Sequence, residues 1–178
     1  MISLSRSSIL NASFRNIFVA QIKILYNSKQ QLIGYLPLLL NDCYYMPLKH
    51  AIAEILEDIS KNAHTLRNII KLLSEDPEYK YCLGTSSLVY EAYSQVKLKK
   101  YNIWEIDMTV VYYLSAMMSQ QLGVANTVLL ITKEATYSPF AQSIEEIADT
   151  TSENCTLLNH LATEIVKYAG KLYEVDTV

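Results

Sequence analysis

The stretch Thr127-Val128-Leu129-Leu130-Ile131-Thr132 decides the predicted fold class. It is continuously apolar and rich in β-branched residues, which is typical of a central strand in a parallel sheet. Two shorter runs, 8–14 and 43–46, are also interpreted as strands. Because amphipathic segments separate the three runs, their order predicts an α/β fold in which many helices flank a short parallel sheet.

Helical periodicity is strongest over residues 52–73, where apolar residues recur at steps of three and four. Gly34 and Pro37 argue against one long helix in the preceding segment, and Gly123 is a natural helix terminator. If the short strands are in fact loops, the same pattern describes an all-α bundle, which is the alternative fold. The other predicted helices cover residues 17–26, 103–121, 137–147 and 156–172.

Composition is that of a single globular domain spanning residues 1–178, with 51% hydrophobic and 19% charged residues. The formal net charge of −3 lacks the basic surplus that binds nucleic acid by electrostatics alone. Cys43, Cys82 and Cys155 are widely separated, which indicates reduced thiols. Residues 1–20 show no signal-peptide core, and the apolar stretches are too short to span a membrane, so we expect a soluble cytoplasmic protein.

Four short segments carry a pattern of acidic and small residues in a fixed order. They are Ile9-Leu10-Asn11-Ala12-Ser13-Phe14, Tyr45-Met46-Pro47 with Ala51-Ile52-Ala53-Glu54-Ile55-Leu56, Glu105-Ile106-Asp107, and Leu129-Leu130-Ile131-Thr132-Lys133-Glu134. In this order they resemble the motifs of the PIN-domain ribonuclease family. The resemblance implies a three-layer PIN-like core over residues 8–147 and a C-terminal helical extension over residues 150–178.

The resemblance also implies a catalytic site made of Asn11, Glu54, Asp107 and Glu134. The three carboxylates would hold Mg²⁺ or Mn²⁺, hard cations that prefer oxygen ligands and that activate water for phosphodiester hydrolysis. Asn11 stands where the family has its first Asp, and Glu134 also stands in place of an Asp. The implied function is therefore metal-dependent RNA cleavage, or a catalytically degenerate domain that binds RNA or a regulatory, antitoxin-like protein.

RNA contacts are expected from Thr132 and from the basic cluster of Lys97, Lys99 and Lys100. Each of these residues also has an ordinary interpretation, since lysines and acids on helices usually form a solvated face. The alternative function is a helical protein–protein interaction module without a catalytic site. In that case the amphipathic final helix pairs with a partner or with a second copy in a homo-oligomer.

Overall fold

The computed structural model describes residues 6–78, 82–98, 100–134 and 138–175, and every regular element in these ranges is an α-helix. The prediction of an α/β fold is therefore wrong, and the alternative, an all-α bundle, is confirmed. The helices are α1 (Arg6–Asp42), α2 (Met46–Leu72), α3 (Leu83–Leu98), α4 (Ile103–Glu134) and α5 (Ser138–Val175).

Four long helices, α1, α2, α4 and α5, form the bundle, while the short α3 packs outside against α1 and α4. A tight turn joins α1 to α2, so these two helices are antiparallel. α3 returns the chain to the end where α2 begins, where Lys97 forms an ion pair with Asp42. Consequently α2 and α4 run parallel, with α3 as the crossover between them. We call the end that carries residues 43–45 the Tyr45 end, and the opposite end the Phe18 end.

The stretch 127–132, predicted as the central strand, lies inside α4. Gly123, predicted to end the preceding helix, is an exposed interior position of the same helix. From Leu114 to Thr132, one line of buried positions on α4 recurs at alternating steps of four and three. This packing stripe continues past Gly123 and overrides the strand propensity of the β-branched residues. These positions are Leu114, Met118, Gln121, Ala125, Val128 and Thr132.

Four other predictions about helices and strands are also wrong. The predicted strand over residues 8–14 and the segment containing Gly34 and Pro37 belong to the single helix α1. Pro37 removes one backbone hydrogen bond, but its φ suits a helix and its neighbours Leu36 and Leu39 are buried in the core. Of the predicted strand over residues 43–46, residues 43–45 form the turn that leads into α2, and Met46 is the first residue of that helix. The last two predicted helices, as far as they lie in the described residues, are parts of α5.

The bundle core consists of two apolar clusters, one nearer each end. A layer of buried polar residues separates them, and all five helices contribute to it. The cluster at the Phe18 end includes Phe18, Ile22, Leu66, Val128 and Ile147, and the cluster at the Tyr45 end includes Leu36, Ile52, Leu114, Met117 and Leu158. The polar layer contains Asn27, Ser28, Lys29, Asn62, Thr85, Gln121, Thr151 and Asn154.

Among the described helices, α4 is the one long and apolar enough to cross a membrane. A core helix of a soluble protein meets the same criterion, and α4 packs against α5, α1 and α3. This helix therefore gives no clear indication of a membrane protein.

Candidate functional site

The polar layer at mid-bundle is a candidate cofactor site by its position, because helix bundles build such sites from side chains on facing helices. Lys29 is fully buried, and its Nζ donates to Oε1 of Gln121 at 3.0 Å. The Gln121 amide nitrogen then donates to Oγ of Ser28, also at 3.0 Å. The hydroxyls of Ser28 and Thr85 lie 2.7 Å apart. The layer is thus a hydrogen-bonded chain linking α1, α4 and α3.

The charge on Lys29 shapes what this layer can bind. Burial lowers the pKa of Lys29 to about 8, and the carboxylate of Asp58 on α2 opposes that shift. The ammonium repels a cation, and amides and hydroxyls provide the other polar groups of the layer. Within the described parts of the chain, no three His, Cys, Asp or Glu residues come together in a way that would hold a metal ion. The protonated Lys29 therefore makes this layer a poor site for a cation.

Asp107, predicted as a metal ligand at the head of a helix, is on α4 and buried. The backbone N–H of Tyr44 donates to one of its carboxylate oxygens at 2.8 Å, and the N–H of Tyr45 donates to the other at 2.9 Å. Burial raises the pKa of Asp107, against the opposing effects of these two N–H groups and of Lys49. Asp107 thereby fixes the α1–α2 turn and supplies a cap at the start of α2, whose N-cap residue Tyr45 makes no side-chain cap.

The other three predicted catalytic residues do not assemble around Asp107. Glu54 is exposed on α2, and Glu134 is exposed at the end of α4. Asp107 and Glu134 lie 27 positions apart on one continuous helix, which separates them by about 40 Å along its axis. Asn11 lies in α1, not at the end of a strand. The predicted convergence at a sheet edge has no counterpart because the described residues contain no sheet.

The predicted RNA-contacting residues are also dispersed. The side chain of Thr132 is buried in α4, where its hydroxyl donates to the backbone oxygen of Val128 at 2.7 Å. Lys97 is engaged with Asp42. Lys100 is exposed, whereas Lys99 lies outside the described residues. Thr132 and the basic cluster therefore do not form one surface.

A cleft of about 390 Å³ opens at the Tyr45 end of the bundle. The rings of Trp104 and Tyr168 pack at its side, with centroids 4.6 Å apart and planes inclined by 50°. This cleft is the candidate functional site. Its lining residues are Tyr44, Tyr45, Met46, Pro47, Ile103, Trp104, Asp107 and Tyr168.

Polar contacts beneath the apolar surface of the cleft fix the position of its walls and floor. Asp107 fixes the backbone of its floor, and the Tyr45 hydroxyl lies 3.4 Å from a carboxylate oxygen of Glu164 on α5. Asn102 accepts from the N–H groups of residues 104 and 105, which caps α4 directly behind the cleft. Sequence reasoning missed this site because its residues come from three separated segments. The one available signal was the unused aromatic Trp104 next to Asp107.

Solved structures share this fold, and the proteins YcfI and YciF are two of them. YcfI from Rhodopseudomonas palustris, whose description reads "a putative structural protein", matches with a TM-score of 0.78 and 17% identity over 82% of this chain and 92% of its own. The E. coli stress protein YciF matches with a TM-score of 0.81 and 15% identity over 86% of this chain and 97% of its own. At such identities the likeness shows the fold alone. No curated protein matches the chain.

The resemblance to PIN-domain ribonucleases is wrong, and with it the nuclease and toxin–antitoxin interpretations. The four motifs are short, and the helices that contain them belong to a bundle without a sheet in the described residues. A family model described as "Domain of unknown function (DUF892)" matches residues 13–170. That match spans most of the chain, and the chain belongs to the DUF892 family.

Proposed function

We propose that this protein is a helical interaction protein without catalytic activity, and that the cleft at the Tyr45 end binds an apolar segment of another protein. One observation carries the proposal. Tyr44, Met46, Ile103 and Tyr168 surround the cleft, and each exposes about half of its surface. A contiguous exposed apolar patch on a soluble protein marks an interaction site more often than a solvated surface.

The chemistry of the cleft suits an aliphatic or aromatic side chain of the partner. Aromatic rings such as those of Trp104 and Tyr168 dominate the energetics of interfaces, because they offer a large rigid surface with little conformational entropy to lose. The Tyr45 hydroxyl and Glu164 place a polar rim beside this surface. An apolar centre with a polar rim is the usual arrangement of a protein–protein interface.

Two further observations support this reading. The descriptions of the two fold neighbours name a suggested structural role for one and a stress role for the other. Cys43, Cys82 and Cys155 are free thiols, which agrees with a protein that works in the cytoplasm. The lining of the cleft indicates the class of partner. An RNA-binding surface would be basic, whereas this lining is mainly aromatic and aliphatic, which suits a protein.

Site-specific photo-crosslinking in the cells that make the protein tests the proposal. A photoreactive amino acid in place of Tyr44 reports on the cleft, and the same amino acid in place of the exposed Leu130 on α4 is the control. We expect a discrete adduct with another protein from position 44 that Met46→Ser weakens, and none from position 130. Equal adducts from both positions, or none from position 44, contradict the proposal. An adduct with a second copy of this chain also contradicts a heterologous partner.

A further inference from the structure

One carboxylate at the edge of the cleft has no permanently charged partner. The Tyr45 hydroxyl donates to Oε2 of Glu164 at 3.4 Å, and Oε1 of Glu164 lies 3.3 Å from Nε2 of His160. His160 carries a positive charge only when it is protonated. Within the described parts of the chain, no lysine or arginine comes within salt-bridge distance of Glu164. The Glu164 side chain exposes 41% of its surface, so a cation from another molecule has access to it.

The second carboxylate of the cleft, that of Asp107, is in a different situation. Asp107 is only 2% exposed, and its two oxygens accept the backbone N–H groups of Tyr44 and Tyr45. The positive charge of Lys49 also acts on it. A cation that approaches the cleft therefore meets its counter-charge at Glu164 and not at Asp107.

An open aromatic ring lies next to this free carboxylate. Tyr168 is four positions after Glu164 on α5, so both side chains project from one face of the helix. The ring of Tyr168 packs against Trp104, yet 51% of the residue stays exposed. The face of an aromatic ring attracts a cation that lies within about 6 Å of its centre. Glu164 and Tyr168 thus offer a cation both a negative charge and a ring surface.

We infer that the protein segment that binds the cleft carries an arginine, which pairs with Glu164 and stacks on the ring of Tyr168. A guanidinium group is planar, so it lies flat on an aromatic ring while its N–H groups reach a carboxylate. The compact, strongly hydrated ammonium of a lysine does not combine these two contacts. The inference rests on the proposed function, because an apolar residue of the same segment occupies the centre of the cleft beside Met46 and Ile103.

Selection of random peptides displayed on phage against the full chain tests this specificity. We expect the peptides that bind wild type to share an arginine close to an aliphatic or aromatic residue, and Met46→Ser to lose them. Glu164→Gln should select peptides that keep the apolar residue and lack the arginine. The matched control is Glu153→Gln, which removes the same charge from an exposed position of α5 about 16 Å away along the helix axis. It should select the same peptides as wild type.

Affinities of one selected peptide then measure the contribution of the arginine. Replacing that arginine by glutamine should weaken binding to wild type roughly five-fold, and binding to Glu164→Gln by less than about two-fold. Tyr168→Leu should reduce the preference for arginine over lysine, whereas Tyr168→Phe keeps the ring and should retain it. Fluorescence anisotropy of the labelled peptide gives these values, and circular dichroism checks that each variant is folded.

The outcomes separate this inference from the proposed function. Peptides that depend on Met46 but carry no arginine would overturn the arginine and leave the apolar cleft in place. An arginine that is selected as strongly by Glu164→Gln as by wild type would also overturn it, since the contact would then be non-specific. If no selected peptide depends on Met46, the cleft is not a binding site for a protein segment, and both proposals fail.

Discussion

Nζ of Lys29 donates to Oε1 of Gln121 at 3.0 Å in the centre of the bundle, and both side chains are buried. This pair joins α1 to α4 between the two apolar clusters of the core. A buried ammonium is costly because protein replaces the water that solvated it. The free energy of unfolding therefore depends on pH. Whether it rises or falls with pH is determined by the direction of the pKa shift of Lys29.

The first prediction concerns the pH dependence of unfolding. Burial lowers the pKa of Lys29 from 10.5 to about 8 in the folded chain. Between these two values the unfolded chain binds more protons, so the free energy of unfolding should rise with pH over this window. The total gain is on the order of 3 kcal/mol. Urea unfolding of wild type and Lys29→Met from pH 7 to 9 measures the part of this gain that falls between pH 8 and 9, about 1.4 kcal/mol. The variant should lack the rise.

The window is kept below pH 9 because other buried groups act in the opposite direction above it. Burial raises the pKa of Cys43 to about 12 and also raises the pKa of Tyr35. Both groups ionise more readily in the unfolded chain, so they lower stability as the pH rises beyond their ordinary values. A stability curve that is equally flat for wild type and Lys29→Met up to pH 9 would show that burial does not lower the pKa of Lys29 into this range.

The second prediction concerns Asp107, whose carboxylate receives the N–H groups of Tyr44 and Tyr45. Asp107→Asn leaves one acceptor for two partly buried donors and should destabilise the fold by about 2 kcal/mol. The midpoint of urea unfolding should fall at constant slope. Because the α1–α2 turn forms the floor of the cleft, the fluorescence of Trp104 in the folded state should also change.

Glu134→Gln is the matched control, since Glu134 is an exposed acid on the same helix. Its unfolding free energy should stay within about 0.5 kcal/mol of wild type, as for most surface substitutions. If the two variants lose the same stability, the carboxylate of Asp107 does not hold the turn.

The sequence allowed prediction of the elements whose pattern is local. The helix over residues 52–73 is confirmed in α2, and the start of the predicted helix at Ile103 coincides with the start of α4. The stretch 127–132 failed because a short apolar run does not distinguish a buried strand from a buried helix. Its buried side chains continue the stripe of the helix predicted over residues 103–121. This continuity was missed because Gly123 was interpreted as a helix terminator. The cleft depends on long-range contacts, which local patterns do not encode.

The third prediction concerns divalent cations. Both oxygens of Asp107 are engaged by backbone N–H groups, while Glu54 and Glu134 are exposed and no described group of three acids, histidines or cysteines surrounds them. Millimolar Mn²⁺ or Mg²⁺ should therefore leave the melting temperature unchanged. Thermal melts of wild type and Asp107→Asn, with and without Mn²⁺, measure this. A rise seen in wild type alone would show that Asp107 belongs to a real cation site.

The fourth prediction tests the continuity of α4 through Gly123 and of α1 through Gly34. A Cβ built at either glycine meets no atom within 4 Å. Alanine at each position should stabilise the chain by about 0.5–1 kcal/mol, because glycine loses more backbone entropy in a helix. Scanning calorimetry should record an increase of about 2–4 °C in melting temperature for a full 1 kcal/mol.

Gly84 provides the contrast within the same chain. A Cβ there would lie 2.5 Å from Nε2 of Gln120, the far end of a flexible side chain, so Gly84→Ala must displace that amide and should gain less than the other two variants. If Gly123→Ala lowers the melting temperature instead, residue 123 is not an open helical position. The stretch 127–132 would then belong to an element separate from the helix that begins at Ile103. The three glycine variants together therefore decide between one long α4 and the strand that the β-branched composition suggested.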